Sequence, residues 1–215
     1  MNKTVLALGV SLLALGSAAH ADSAYVGVGL PGVLTLGYAK PMGPSWGVRG
    51  EFSGGTSISR NGVEEGLNVE GKIKANRVGA FADWFPFDSG FRLVGGVTLN
   101  SIKANLDATG TGTNTINDKP VDLTGETFNV RLKYPNVTPY LGLGWGHQSS
   151  TVKGLGFFAD LGVTVGKFKS DVTTTIVGKQ GITQADVDAQ VQDLRDALNK
   201  LSVLPSVSVG VVYRF

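Results

Sequence analysis

Apolar residues recur at every second position through most of this chain. In the last ten residues Val207, Val209, Val211, Tyr213 and Phe215 alternate with Ser206, Ser208, Gly210 and Arg214. A period of two predicts strands with one apolar face and one polar or small face. The pattern returns in Ala24 to Leu30 and Val33 to Ala39, joined by Pro31-Gly32 as a tight hairpin, and in Trp46 to Ser53. It returns again in Phe91 to Leu106, Val121 to Tyr134, Val137 to Trp145, Leu155 to Val165 and, more weakly, Phe168 to Val177. Between Leu67 and Trp84 the apolar parity changes. Val69, Ile73 and Ala75 share one phase and Val78, Ala80, Ala82 and Trp84 the other, which predicts a bulge near Ala75 and Asn76.

One stretch keeps a helical period instead. Val187, Val191, Leu194, Leu198 and Leu201 recur at spacings of four and three. Thr183-Gln184-Ala185-Asp186 has the form of a capping box at its start, and Pro205 prevents continuation. The stripe is expected to pack on the rest of the domain. Its polar side carries Asp186, Asp188, Asp193 and Asp196 against Arg195 and Lys200, unlike the basic face of a membrane-surface helix.

Alternation leaves open which face looks inward. A soluble lipocalin-like barrel hides the valines, whereas an outer-membrane barrel turns them to lipid. Connections decide for the second arrangement. Lys40 to Ser45, Phe85 to Gly90, Pro135-Asn136 and Gly166-Lys167 read as short turns. Gly54 to Gly66, Asp107 to Pro120 and Gly178 to Leu204 read as long polar loops, so one rim is trim and the other elaborate. Many of the aromatics, among them Trp46, Trp84, Phe87, Phe91, Tyr213 and Phe215, fall near the short turns or chain ends, as an interfacial girdle does.

The face opposite the aliphatics then carries the charges. Arg49, Glu51, Arg77, Asp83, Arg92, Arg131, Lys133, Asp160, Lys169, Asp171 and Arg214 are expected to line a narrow lumen and neutralise one another there. The 31 glycines, about twice the usual share, sit largely within the alternating segments and suggest bends or crowding against large side chains.

Lys3, the apolar run Val5 to Leu15 and Ala19-His20-Ala21 have the three parts of a secretory signal, with cleavage expected after Ala21. Residues 1–21 are thus expected to be removed, and residues 22–215 to form the barrel domain. The apolar run is too short to span a bilayer as a helix. The formal net charge is only +2, which argues against a nucleic-acid partner. Absence of cysteine and a single histidine in the mature chain argue against a disulfide framework and a transition-metal site, and no cofactor is expected.

The signal, the tight-turn rim and above all Tyr213-Arg214-Phe215 resemble Gram-negative outer-membrane β-barrel proteins of the small OmpA/OmpX-like class. That resemblance implies an antiparallel up-and-down transmembrane barrel in the cell outer membrane. It implies lipopolysaccharide and outer-membrane lipid as surroundings, and Tyr213 and Phe215 as a signal to the barrel-assembly machinery. With both termini at one rim the strand number is even. The segments number ten, with the helix in the last external loop; eight follows if the first hairpin is one bent strand and Phe168 to Val177 is loop.

A barrel of this size has a lumen that side chains nearly fill, implying a structural or surface barrel, or a gated conduit for small solutes. No enzymatic activity is expected. The alternatives are a soluble lipocalin-like binding barrel and a lipid A hydrolase. His147-Gln148-Ser149 resembles the His-x-Ser pair of the outer-membrane lipid A deacylases, and the parity of Leu143 and Trp145 points His147 towards lipid.

Overall fold

The computed structural model describes residues 22–64, 67–87, 89–147 and 153–215. The expected signal segment lies outside the described residues. The elements are β1 (Ser23–Leu30), β2 (Leu34–Pro41), β3 (Trp46–Glu64), β4 (Leu67–Trp84), β5 (Phe91–Gly110), β6 (Thr113–Ile116), β7 (Lys119–Asp122), β8 (Thr127–Lys133), β9 (Val137–Trp145), β10 (Gly154–Val165), β11 (Lys169–Thr174), α1 (Gln184–Lys200) and β12 (Val203–Arg214).

Eight strands close a ring in the order β1, β2, β3, β4, β5, β9, β10 and β12, every pair antiparallel. The last strand seals it. Ser23 stands opposite Arg214 and Leu30 opposite Val207, and the Phe215 amide donates to the Asp22 carbonyl at 3.0 Å.

The ring has eight strands rather than the ten counted from the sequence, and the first hairpin is two strands, not one. The count falls because two pairs of segments share one wall position each. β8, Tyr134-Pro135-Asn136 and β9 run along β5 without a register change, since Lys103 faces Lys133 and Leu99 faces Val137. β11 continues β10, with the register against the neighbouring wall shifted by two residues, and pairs with β8. Pro135-Asn136 and Gly166-Lys167 are therefore interruptions within long strands, not turns.

β3, β4 and β5 have 19, 18 and 20 residues. A tilted strand crosses a bilayer in about 9–11 residues, so half of each continues beyond it. Of the stretch Gly54 to Gly66, expected as a loop, residues 54–64 are the upper half of β3, paired with β4 as far as Glu64 opposite Leu67. Similarly β5 continues to Gly110, and the expected loop after it folds as the β6–β7 hairpin.

The bulge predicted in β4 is absent from that strand. Ala75, Arg77, Gly79, Phe81 and Asp83 all point inward in unbroken alternation. The irregularity is across the ladder in β3, where the register shifts between Ser53 and Thr56 and Gly55 adopts φ +86°. What changes in β4 is polarity, not phase. Within the bilayer the outward positions are apolar (Val78, Trp84) and the inward ones charged (Arg77, Asp83). Above it the outward ones are charged (Lys72, Lys74) and the inward ones apolar (Ile73, Ala75).

The lipid-facing surface is explicit. Val28, Leu36, Leu99, Leu141, Leu161 and Val209 are each at least 43 % exposed. Such a continuous aliphatic band is unfavourable in water and matches a hydrocarbon layer. Among the described residues no helix is long and apolar enough to cross a membrane, and the crossing is made by strands.

Candidate functional site

The rim with the termini carries the ends of β2 and β3, of β4 and β5, and of β9 and β10. Its outward aromatics meet in pairs, Trp46 with Trp84 at 6.1 Å and Phe87 with Phe91 at 5.9 Å, and Tyr213 and Phe215 are stacked. Trp145, missed as a girdle member, is 56 % exposed at the same level. Tyr25, Phe85, Tyr134 and Tyr140, which also lie near turns or ends, are instead buried.

Inside the barrel three arginines face three carboxylates. Arg49 reaches Glu51 at 2.9 Å, Asp83 at 3.2 Å and Asp160 at 3.3 Å. Arg77 pairs with Glu51 at 3.0 Å, and Arg92 lies 3.6 Å from Asp83 and donates to Asp160 and to the Gly146 carbonyl. All six side chains are at most 5 % exposed. The cluster is charge-balanced, the condition under which buried ions are tolerated. Rings pack round it. Arg49 lies 4.8 Å from the Phe81 ring centre, and the Tyr25 hydroxyl donates to Glu51 at 3.0 Å.

The rings occupy space that glycines leave. A Cβ on Gly37 would lie 2.1 Å from the Tyr25 ring, and one on Gly27 or Gly210 would strike Phe158. At Gly37, Gly79 and Gly162 the missing side chain makes room for an inward aromatic, the crowding that the sequence suggested, whereas Gly50 and Gly95 have open space.

Above the ions lies a layer of hydroxyls and an amide. Thr98 and Thr138 share a 2.7 Å hydrogen bond, Asn100 donates to Thr138 at 2.8 Å, and Arg77 donates to Ser206 at 2.9 Å. Higher still the interior turns apolar with Ala75, Ile102 and Tyr134, flanked by Phe168 and Leu204. An apolar cavity of about 430 Å³ follows, bounded by Ile58, Ile73, Leu132, Leu198 and Leu201.

Four of the charges expected in the lumen lie elsewhere. Arg131, Lys133, Lys169 and Asp171 are exposed on β8 and β11, on the outer face of the wall above the bilayer. The physical reason is the polarity reversal: opposite the aliphatic face means inward within the membrane and outward in water. Arg214 is half-buried at the terminal rim.

His147 does not face lipid. Gly146 and His147 take φ values of +93° and +57°, ending the alternation. The ring turns into the barrel, 5 % exposed, 4.5 Å from Tyr25 and 5.0 Å from Phe158. This contradicts the geometry that a lipid-directed His-x-Ser pair requires. Ser149 lies outside the described residues.

The elaborate rim carries its own small core. Ile116, Val121, Leu123, Ile176, Ile182 and Val187 are buried together. The Thr183–Asp186 capping box forms as its spacing predicts, and the same carboxylate accepts from Lys119 at 2.8 Å and Asn117 at 2.9 Å. These donors hold Asp186 well below the usual carboxylate range. Lys179 and Thr175 likewise lower Glu126. Of the predicted helix stripe, Val187 and Leu198 are buried and Leu201 is exposed. Among the described residues no cluster of acidic or histidine side chains is arranged to hold a metal.

No protein-family model and no curated relative matches the sequence. Solved structures do. Acinetobacter baumannii CarO aligns over 90 % of this chain and 97 % of its own, with TM-score 0.56 and 20 % identity. Acinetobacter baumannii CarO2 aligns over 91 % and 98 %, with TM-score 0.59 and 20 % identity. Ail, the attachment invasion locus protein of Yersinia pestis, aligns over 91 % and 95 %, with TM-score 0.39 and 14 % identity. At these identities the likeness to the two Acinetobacter proteins concerns the fold. A closed ring of eight antiparallel strands, an exposed aliphatic belt and an ion-paired interior give the chain the fold of a transmembrane β-barrel, the fold it shares with the two Acinetobacter proteins.

Proposed function

We propose that this protein is a closed surface barrel: a membrane anchor, blocked at its centre, that presents an extracellular sheet and cap. The observation that carries this reading is the stack of interior layers, ions, then hydroxyls, then apolar side chains, each packed from buried residues. Three arginines interlocked with three carboxylates resist displacement, because separating one leaves an uncompensated charge where water is scarce. A gated conduit needs that cluster to open; a surface barrel needs it to stay shut. Tyr213 and Phe215, outward on the closing strand, are suited to serve as the assembly signal.

Planar-bilayer recording of the refolded chain tests this. The wild type is expected to give no discrete openings in sodium, potassium or calcium chloride, while Arg92→Ala with Tyr140→Ala opens a steady leak. Regular openings by the wild type overturn the closed reading in favour of a conduit.

A further inference from the structure

The register of the extracellular wall brings four lysines into one row. Lys74 of β4 stands opposite Lys103 of β5, Lys103 opposite Lys133 of β8, and Lys133 opposite Lys169 of β11. All four are exposed on the outer face. Adjacent strands are about 4.8 Å apart, so the row spans roughly 15 Å. Like charges placed directly opposite destabilise a sheet. Here the arrangement is repeated three times, and among the described residues no carboxylate lies within salt-bridge distance of any member. The next row out, Lys72, Asn105, Arg131 and Asp171, adds two cations and one acid.

Height above the bilayer gives the row its meaning. The last outward aliphatics, Val78, Leu99 and Val137, form a cross-strand row of their own, 50 %, 56 % and 63 % exposed. Lys74, Lys103 and Lys133 each lie four residues beyond one of them, and Lys169 lies four beyond Val165. Four strand residues rise about 13 Å, or about 10 Å along the axis of a tilted barrel. The ammonium groups therefore stand at headgroup level, with stems long enough to reach down to the hydrocarbon edge.

We propose that Lys74, Lys103, Lys133 and Lys169 form a binding site for the phosphorylated headgroup of the outer-leaflet glycolipid, lipid A. Two phosphates on one rigid headgroup match a line of four cations, and acyl chains below them meet the Val78–Leu99–Val137 band. The occupant relieves the lysines' mutual repulsion, which no carboxylate among the described residues is close enough to do by a salt bridge.

The test titrates the detergent-refolded mature chain with bisphosphorylated lipid A, dephosphorylated lipid A and inorganic phosphate. The wild type is expected to bind the bisphosphorylated form at least tenfold more tightly than the dephosphorylated one, with salt weakening the preference. The K74Q/K103Q/K133Q/K169Q variant is expected to lose that preference while keeping heat-modifiable migration. Lys119→Gln with Lys179→Gln, in the cap, is expected to keep it. Equal binding of the two lipids by the wild type overturns the proposal, and this arm needs no variant to fold. So does an unchanged preference in the quadruple variant, or inorganic phosphate binding as tightly as lipid A, which makes the row a simple anion site. A second readout is stability: without lipid A the quadruple variant is expected to unfold later than the wild type, and with lipid A this order reverses.

Discussion

Ala75 and Arg77 project from the same inward face of β4, two residues apart, and the interior changes between them from apolar to charged. Opposite this point β3 shifts register between Ser53 and Thr56. Below the change the barrel is inside out with respect to a soluble protein; above it the wall has ordinary polarity, apolar within and charged without.

That division predicts strongly height-dependent substitutions. Leu141, 62 % exposed in the aliphatic belt, becomes costly as lysine, by about 2–4 kcal/mol at mid-bilayer depth. Lysine at the exposed Thr109 on the outer wall, opposite the uncharged Asn68 and Thr127, is expected to change stability by less than about 0.5 kcal/mol. Urea unfolding in lipid vesicles measures both, and equal costs would refute the division.

The ion cluster predicts non-additive losses. Arg49→Ala leaves Glu51, Asp83 and Asp160 sharing Arg77 and Arg92, and is expected to cost about 3–5 kcal/mol. Arg92→Met combined with Asp160→Leu is expected to cost less than the sum of the single changes, because the pair leaves together. A double-mutant cycle by chemical unfolding decides; additive costs would mean that the contacts are not coupled.

Packing of glycine under aromatic rings predicts a specific rescue. Gly37→Ala places a methyl group 2.1 Å from the Tyr25 ring and is expected to destabilise by about 1–3 kcal/mol through overpacking. Reducing the ring with Tyr25→Leu in the same chain is expected to recover part of that. No recovery would show that the loss arises in the backbone instead.

The cap predicts an acid-sensitive rim on an acid-resistant barrel. Asp186 and Glu126 have carboxyls lowered by their lysine and hydroxyl partners. A lowered folded value means stability present above the ordinary carboxylate range, near pH 4, and lost as pH falls from there through the folded value. Hydrogen exchange at pH 7 and at pH 3 is expected to show residues 113–123 and 176–190 opening in acid while the ring stays protected. Asp186→Asn is expected to show the loosened cap already at pH 7. Uniform loosening of ring and cap would count against a separate cap core.

Much of this architecture was written in local pattern. The outward face of β10 and that of Val207, Val209, Val211 and Tyr213 in β12 were legible, because a strand's period is two and lipid demands an uninterrupted apolar face; Val203, read as loop, was not. The helix and its Thr183–Asp186 box were legible for the same reason: neighbours along the chain make them. Strand number was not. Tyr134-Pro135-Asn136 reads as a turn, and only pairing along β5 makes it a continuous wall position. Neither was the location of Arg131, Lys133, Lys169 and Asp171. Alternation states which residues share a face, whereas the tertiary structure decides at what height a face leaves the bilayer and so whether charge belongs inside or out. The lysine row and the Arg49–Asp160 contact, 111 residues apart, likewise exist only because ring closure and register bring distant segments level.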